Sequence, residues 1–202
     1  MIFIFFILIK NYSYSSSTFE LQENLQEIQN IIRIKSKAIE HIYKAGVLCH
    51  DLATENKKGY AKKAINFLEI YLIIKPQDVL AQAYLGCSYI MHVENINFLY
   101  QILLIKKGFY YLDDAIQKDS IDPIIRFIRA ISTYEIPRYF IRDRYASKDL
   151  SYLLNIIQES PNLYTFDFKN QIYYYAGRQA LKQKNESSIQ YFEKAYLLFN
   201  NL

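Results

Sequence analysis

The chain has 202 residues, of which 51% are hydrophobic and 22% charged, a balance that folds and leaves no room for a long disordered tail. Its 24 basic and 20 acidic residues are spread along the whole length for a net charge of +4, so the concentrated basic face that nucleic-acid backbones require is not indicated. Five Gly and four Pro are too few for a sandwich or barrel that turns every few residues, and they point to helices joined by few breaks.

Residues Ile2 to Ile9 form an unbroken apolar run of eight. As a helix it rises only about 12 Å against a hydrocarbon core of about 30 Å, so it cannot span a membrane. Followed by the small-residue stretch Ser13-Tyr14-Ser15, it resembles the core of a secretory signal peptide, although a positive segment before it is missing. The expectation is a signal peptide or apolar N-terminus over residues 1–18 and one folded domain over 19–202. A periplasmic or cell-envelope location follows, with the cytoplasm as the alternative.

From Phe19 onward apolar residues return every three or four positions, the spacing that paints one face of a helix. Leu21, Leu25, Ile28, Ile31 and Ile32 make the first stripe, and Ala38, Ile39, Ile42, Ala45, Gly46 and Leu48 the second. The run Asn56 to Gly59 breaks the pattern, and a third helix from Ala61 ends at Lys75-Pro76. A fourth runs from Val79 to about His92, and a fifth from about Leu99 or Lys106 to Lys118. Pro123 is placed to open a sixth, which stops before Pro137, because its missing N–H would be unpaired there anyway. A seventh covers Arg144 to Gln158 ahead of Pro161, and the last two run from Phe168 to Gln183 and from Ser187 to Leu198. Pro76, Pro123 and Pro161 stand 47 and 38 residues apart, punctuation at a repeat-like period.

The segment Ala61 to Tyr89 carries Ala64, Leu68, Tyr71 and Pro76, then Leu85, Gly86 and Tyr89. In that order these residues resemble the tetratricopeptide repeat read across one boundary, with Tyr71 where the family prefers Ala. Gly177, a Lys184-Asn185 turn, Ile189, Phe192 and Ala195 repeat the theme, and Gly108, Leu112 and Ala115 make a weaker copy. About ten extra residues precede that copy, and Ile125 to Leu150 departs from the pattern with Arg129 where Leu is usual. The resemblance implies an all-α fold: a right-handed superhelical stack of antiparallel helix pairs, about eight or nine helices in all, with a concave side lined by the first helix of each pair. Projected onto this chain, that groove would hold Ala83, Cys87 and Ile90, then Phe127, Ile131 and Tyr134, then Tyr174, Arg178 and Lys182.

No residue stands out as catalytic, cofactor-binding or metal-ligating. Cys49-His50-Asp51 reads like a nucleophile, base and orienter, but successive helical side chains point about 100° apart and cannot converge on one atom. His41, His50 and His92 lack the pairing a zinc site shows. Cys49 and Cys87 match no ligand or redox spacing and read as small buried apolar side chains, or as a disulfide if the compartment is oxidising. Arg126, Arg129, Arg138, Arg142 and Arg144 with Asp143 and Asp149 form the most suggestive cluster. It reads either as an inter-helix ion-pair network or as a site for an anionic group held bidentately. Function is therefore expected to be binding. The leading expectation is a scaffold or adaptor whose groove takes an apolar peptide or helix of a partner protein. The alternative is an exported carrier of a small apolar or anionic ligand, accessory to solute transport, with residues Asn95 to Leu104 as a lid.

Overall fold

A computed structural model describes residues 22–27, 30, 39–93, 96–134, 136–137 and 140–199. The expected signal segment and Arg138 lie outside the described residues. The described residues are all-helical, with no strand among them. After a helical stretch at 22–27 come α1 (Ile39–Thr54), α2 (Tyr60–Ile74), α3 (Val79–Met91) and α4 (Phe98–Lys118). These are followed by α5 (Pro123–Tyr134), α6 (Asp143–Glu159), a 3-10 turn at Pro161–Leu163, α7 (Phe166–Lys182) and α8 (Ser187–Phe199). No helix among the described residues is long and apolar enough to cross a membrane.

The helix starts are chemically marked. Asp78 Oδ1 accepts from Ala81 N at 2.9 Å, Asn97 Oδ1 from Tyr100 N at 2.9 Å, and Thr165 Oγ1 from Phe168 N at 3.2 Å, each satisfying a first-turn donor. Before Pro123, Asp122 Oδ1 accepts from both Ile124 N and Ile125 N. Gly59, at φ 80°, takes the left-handed conformation that turns the chain into α2.

The chain divides into two compact units, one up to Ser120 and one from Ile121 onward. In the first, Leu52, Leu68 and Leu85 of α1, α2 and α3 are fully buried together, and Leu25 packs into the same core. Each such leucine contributes about 1.5–3 kcal/mol. Its hairpins are antiparallel: Tyr43 meets Tyr71 while Gly46 meets Leu68, and Gln82 meets Asp114 while Ile90 meets Gly108. In the second unit Leu153 and Ile172 are fully buried, with Phe127, Ala130, Leu150 and Ala176 around them. Arg126 and Arg129 of α5 face Tyr152, Asp149 and Tyr145 of α6 in reverse order, and Gly177 of α7 packs on Phe192 of α8.

The chain from 98 to 104, expected as part of an insertion able to act as a lid, is helical and continuous with the rest of α4. Apolar residues on every side of Phe98 to Ile105 blur the periodicity there, which is why the sequence places the start of this helix ambiguously.

Candidate binding wall and buried polar clusters

In the second unit, α5 and α7 lie side by side and bring together six residues that the repeat pattern assigns to a groove, Ile131 among them. Phe127 is 5.9 Å from Tyr175 and 5.4 Å from Phe168, ring centroid to ring centroid. Tyr134 and Tyr174 flank the same Tyr175 at 6.2 and 5.4 Å, all edge to face, the geometry ring quadrupoles favour. The Arg178 guanidinium stands 4.5 Å from the Tyr134 ring and 5.6 Å from that of Tyr174, and the Lys182 ammonium 5.1 Å from Tyr134. Lys182 also pairs with Asp143 at the start of α6. Tyr134, Tyr174, Ile131 and Lys182 are half-buried, whereas Phe127 and Arg178 are buried. The result is an aromatic wall with two cations laid against it.

The other three groove positions belong to the first unit. Ala83, Cys87 and Ile90 are buried, as is nearly every residue of α3 from Ala81 to Ile90, so their side chains are spent on packing. Small residues at Ala81, Ala83 and Gly86 let neighbouring helices close in on this helix from several sides.

The arginine cluster resolves into a clamp between α5 and α6. Arg129 binds Asp149 with both arms of its fork, Nε to Oδ2 at 2.7 Å and Nη2 to Oδ1 at 2.9 Å. Arg126 Nη1 donates to Oδ1 of the same carboxylate at 2.8 Å. Asp149 is fully buried and both arginines nearly so. Tyr152 lies 4.1 Å beneath Arg126, and Tyr145 lies against Arg129 at 5.3 Å and Arg142 at 3.9 Å. The two tyrosines escaped the sequence reading. Their signal was present, because Tyr145, Asp149 and Tyr152 follow i, i+4, i+7 spacing on one helix face.

Two polar networks tie the first unit together. Tyr89 donates to Glu69 and accepts from Lys107, whose ammonium also lies 4.2 Å over the Tyr89 ring. Burial and the Glu69 carboxylate push the Tyr89 hydroxyl up to about 12. Gln82 donates to Asp114 and accepts from Lys118, which also pairs with Asp114 at 2.8 Å, and the bonds from Lys118 and Gln82 hold the Asp114 carboxyl below its ordinary range.

The tripeptide Cys49-His50-Asp51 does not converge as a unit. His50 is buried, with Nδ1 3.1 Å from Asp51 Oδ1 and its ring edge-on to Tyr84 at 4.9 Å. The cysteine that acts on His50 is Cys87 of α3. Burial opposes charge on this ring, but Cys87 and Asp51 outweigh it and raise the imidazole to about 10. Cys49 is fully buried, its thiol pushed up to about 12 by burial, and neither cysteine is in a disulfide. His92 is lowered by burial and by Lys62 nearby. Among the described residues no cluster of three His, Cys, Asp or Glu side chains is arranged to hold a metal.

Compared with known proteins, the chain matches no family model, no curated protein and no solved structure.

Proposed function

We propose that this protein is a divergent tetratricopeptide-like helical repeat protein, a stacked α-solenoid that serves as a binding module. Its guest is an apolar segment of a partner protein. The observation that carries the reading is the α5–α7 wall, where Tyr134, Tyr174, Arg178 and Lys182 meet. Half-buried tyrosines offer large contact area with few torsions to freeze, which is why such rings dominate recognition surfaces. The Arg178 and Lys182 cations laid against the rings hold Tyr134 and Tyr174 in place, so less of their freedom is lost when a guest binds. The antiparallel hairpins, and the small residues where helices cross at Gly86 and Gly177, support the repeat reading.

The experiment uses the full chain on an array of helical peptides whose apolar residues recur every three or four positions along one face. Tyr134→Ala with Tyr174→Ala is expected to weaken capture at least about tenfold, the scale of an aromatic anchor. Circular dichroism should be unchanged, because both rings are half-buried. Phe127 is left intact, since its ring packs in the core against Phe168 and Tyr175. No peptide bound by the wild type, or equal capture by the double variant, overturns the reading.

A further inference from the structure

The first unit has an end that is both oily and basic, and nothing in the proposed groove uses it. Gly86 of α3 faces Gly108 of α4 in an antiparallel pair. Five residues further along each helix, Met91 ends α3 at the level of Leu103, so the first residues of α4 project past their partner. On that projection Phe98 is 60% exposed, Leu99 74% and Leu103 60%. Scattered apolar residues on a surface are ordinary, but several large ones on consecutive turns of one protruding helix are not.

Alternating helix directions bring the start of α2 to the same end. The turn before it and its first turn carry four exposed lysines, Lys57, Lys58, Lys62 and Lys63. Lys62 is near enough to His92, which caps the end of α3, to lower its pKa. Among the described residues these four lysines form no ion pair, while α4 itself holds no acidic residue before Asp113. Glu55 and Asp51 are the carboxylates bordering this turn on the α1 side.

We propose that this end of the first unit docks on a lipid surface bearing anionic headgroups. Phe98, Leu99 and Leu103 would enter the interface while Lys57, Lys58, Lys62 and Lys63 meet the headgroups. Charge decides among the occupants. A second copy docking by the same face would set lysines against lysines, and a nucleic-acid backbone would leave the exposed leucines in water. An acidic bilayer satisfies both features at once, as amphipathic interfacial helices with basic flanks do. Insertion is shallow, because the buried side of α4, Leu104, Ile105 and Phe109, stays engaged in the unit's own packing.

The chain contains no tryptophan, so Phe98→Trp supplies a single reporter. Full-length protein is mixed with vesicles of phosphatidylcholine alone or with added phosphatidylserine. The expected result is a blue-shifted emission and co-sedimentation only with the phosphatidylserine vesicles, diminishing as salt rises. Leu99→Glu with Leu103→Glu should abolish both signals while helicity is kept, since both side chains are exposed. Lys62→Glu with Lys63→Glu should weaken binding at least about tenfold. Binding to neither vesicle, equal binding to both, or binding indifferent to the leucine variant overturns the proposal. So does a concentration-dependent dimer lost in the leucine variant without vesicle uptake, which assigns the patch to a second copy.

Discussion

Gly86 and Gly108 meet backbone to backbone across the α3–α4 pair: a Cβ added at Gly86 would stand 2.7 Å from the Gly108 carbonyl oxygen, and one at Gly108 would stand 2.5 Å from that of Gly86. Ordinary helical propensity favours alanine over glycine by about 1 kcal/mol, so a helix interior keeps glycine only where space demands it. Here the obstacle is a neighbouring backbone, which cannot rotate away as a side chain can.

Gly86→Ala and Gly108→Ala are therefore each expected to lower the thermal midpoint. The overpacking cost of about 1–3 kcal/mol exceeds the propensity gain. Gly46→Ala is the instructive comparison, because its new methyl meets only the Leu68 and Phe67 side chains. Calorimetry of the three variants should rank Gly46→Ala as the mildest. A stabilised Gly86→Ala would show that the two helices pack with more room than this geometry allows.

The legibility of the chain follows the same physics. Leu85-Gly86 with Tyr89 pointed to a close helix crossing because a buried glycine inside an apolar stripe has few other uses, and Pro76 and Pro123 marked helix ends because proline lacks a donor. The groove positions on α3 were misleading in a specific way. Ala83, Cys87 and Ile90 are small or apolar enough to line a groove or a core, and the same periodicity serves both. On α5 and α7 the polar members stand out from such a stripe: Arg178, buried, and Lys182, half-buried, lie against the Tyr134 ring. That Cys87 rather than Cys49 raises the His50 imidazole was illegible, because 37 residues separate them and no local pattern encodes the fold's closure.

The Arg126–Asp149–Arg129 clamp makes a second prediction. Asp149→Asn keeps the shape but leaves two buried guanidinium groups without their shared carboxylate. A loss of about 3–5 kcal/mol in chemical denaturation is expected, the scale for breaking a buried pair from one side. Replacing all three together, with Arg126→Met, Arg129→Met and Asp149→Leu, should recover most of it, since desolvation of the charges is then avoided. If Asp149→Asn were as stable as the wild type, the clamp would contribute nothing, and Arg126 and Arg129 would be held by other partners.

The third prediction concerns pH. His50 titrates at 6.5 when unfolded and at about 10 in the folded chain, where burial is outweighed by Cys87 on α3 and by Asp51 beside it on α1. Below pH 6.5 both states carry the proton, and the stabilisation is fully present. Above it the unfolded chain loses its proton while the folded chain keeps one, so stability falls as pH rises and this contribution is gone beyond about 10. At most one proton separates the two states, so the slope does not exceed about 1.4 kcal/mol per pH unit. Tyr43 and Tyr89, both raised to about 12, titrate above this window, and Cys49, raised from 9.0 to about 12, adds a fall of the same sign only from about pH 9 upward. Urea titrations of the wild type between pH 7 and 9 should show the midpoint falling, and His50→Gln should flatten that fall while lowering stability at neutral pH. A wild-type midpoint constant across that range would mean that His50 is neutral in the fold, held by Tyr84 and packing rather than by charge.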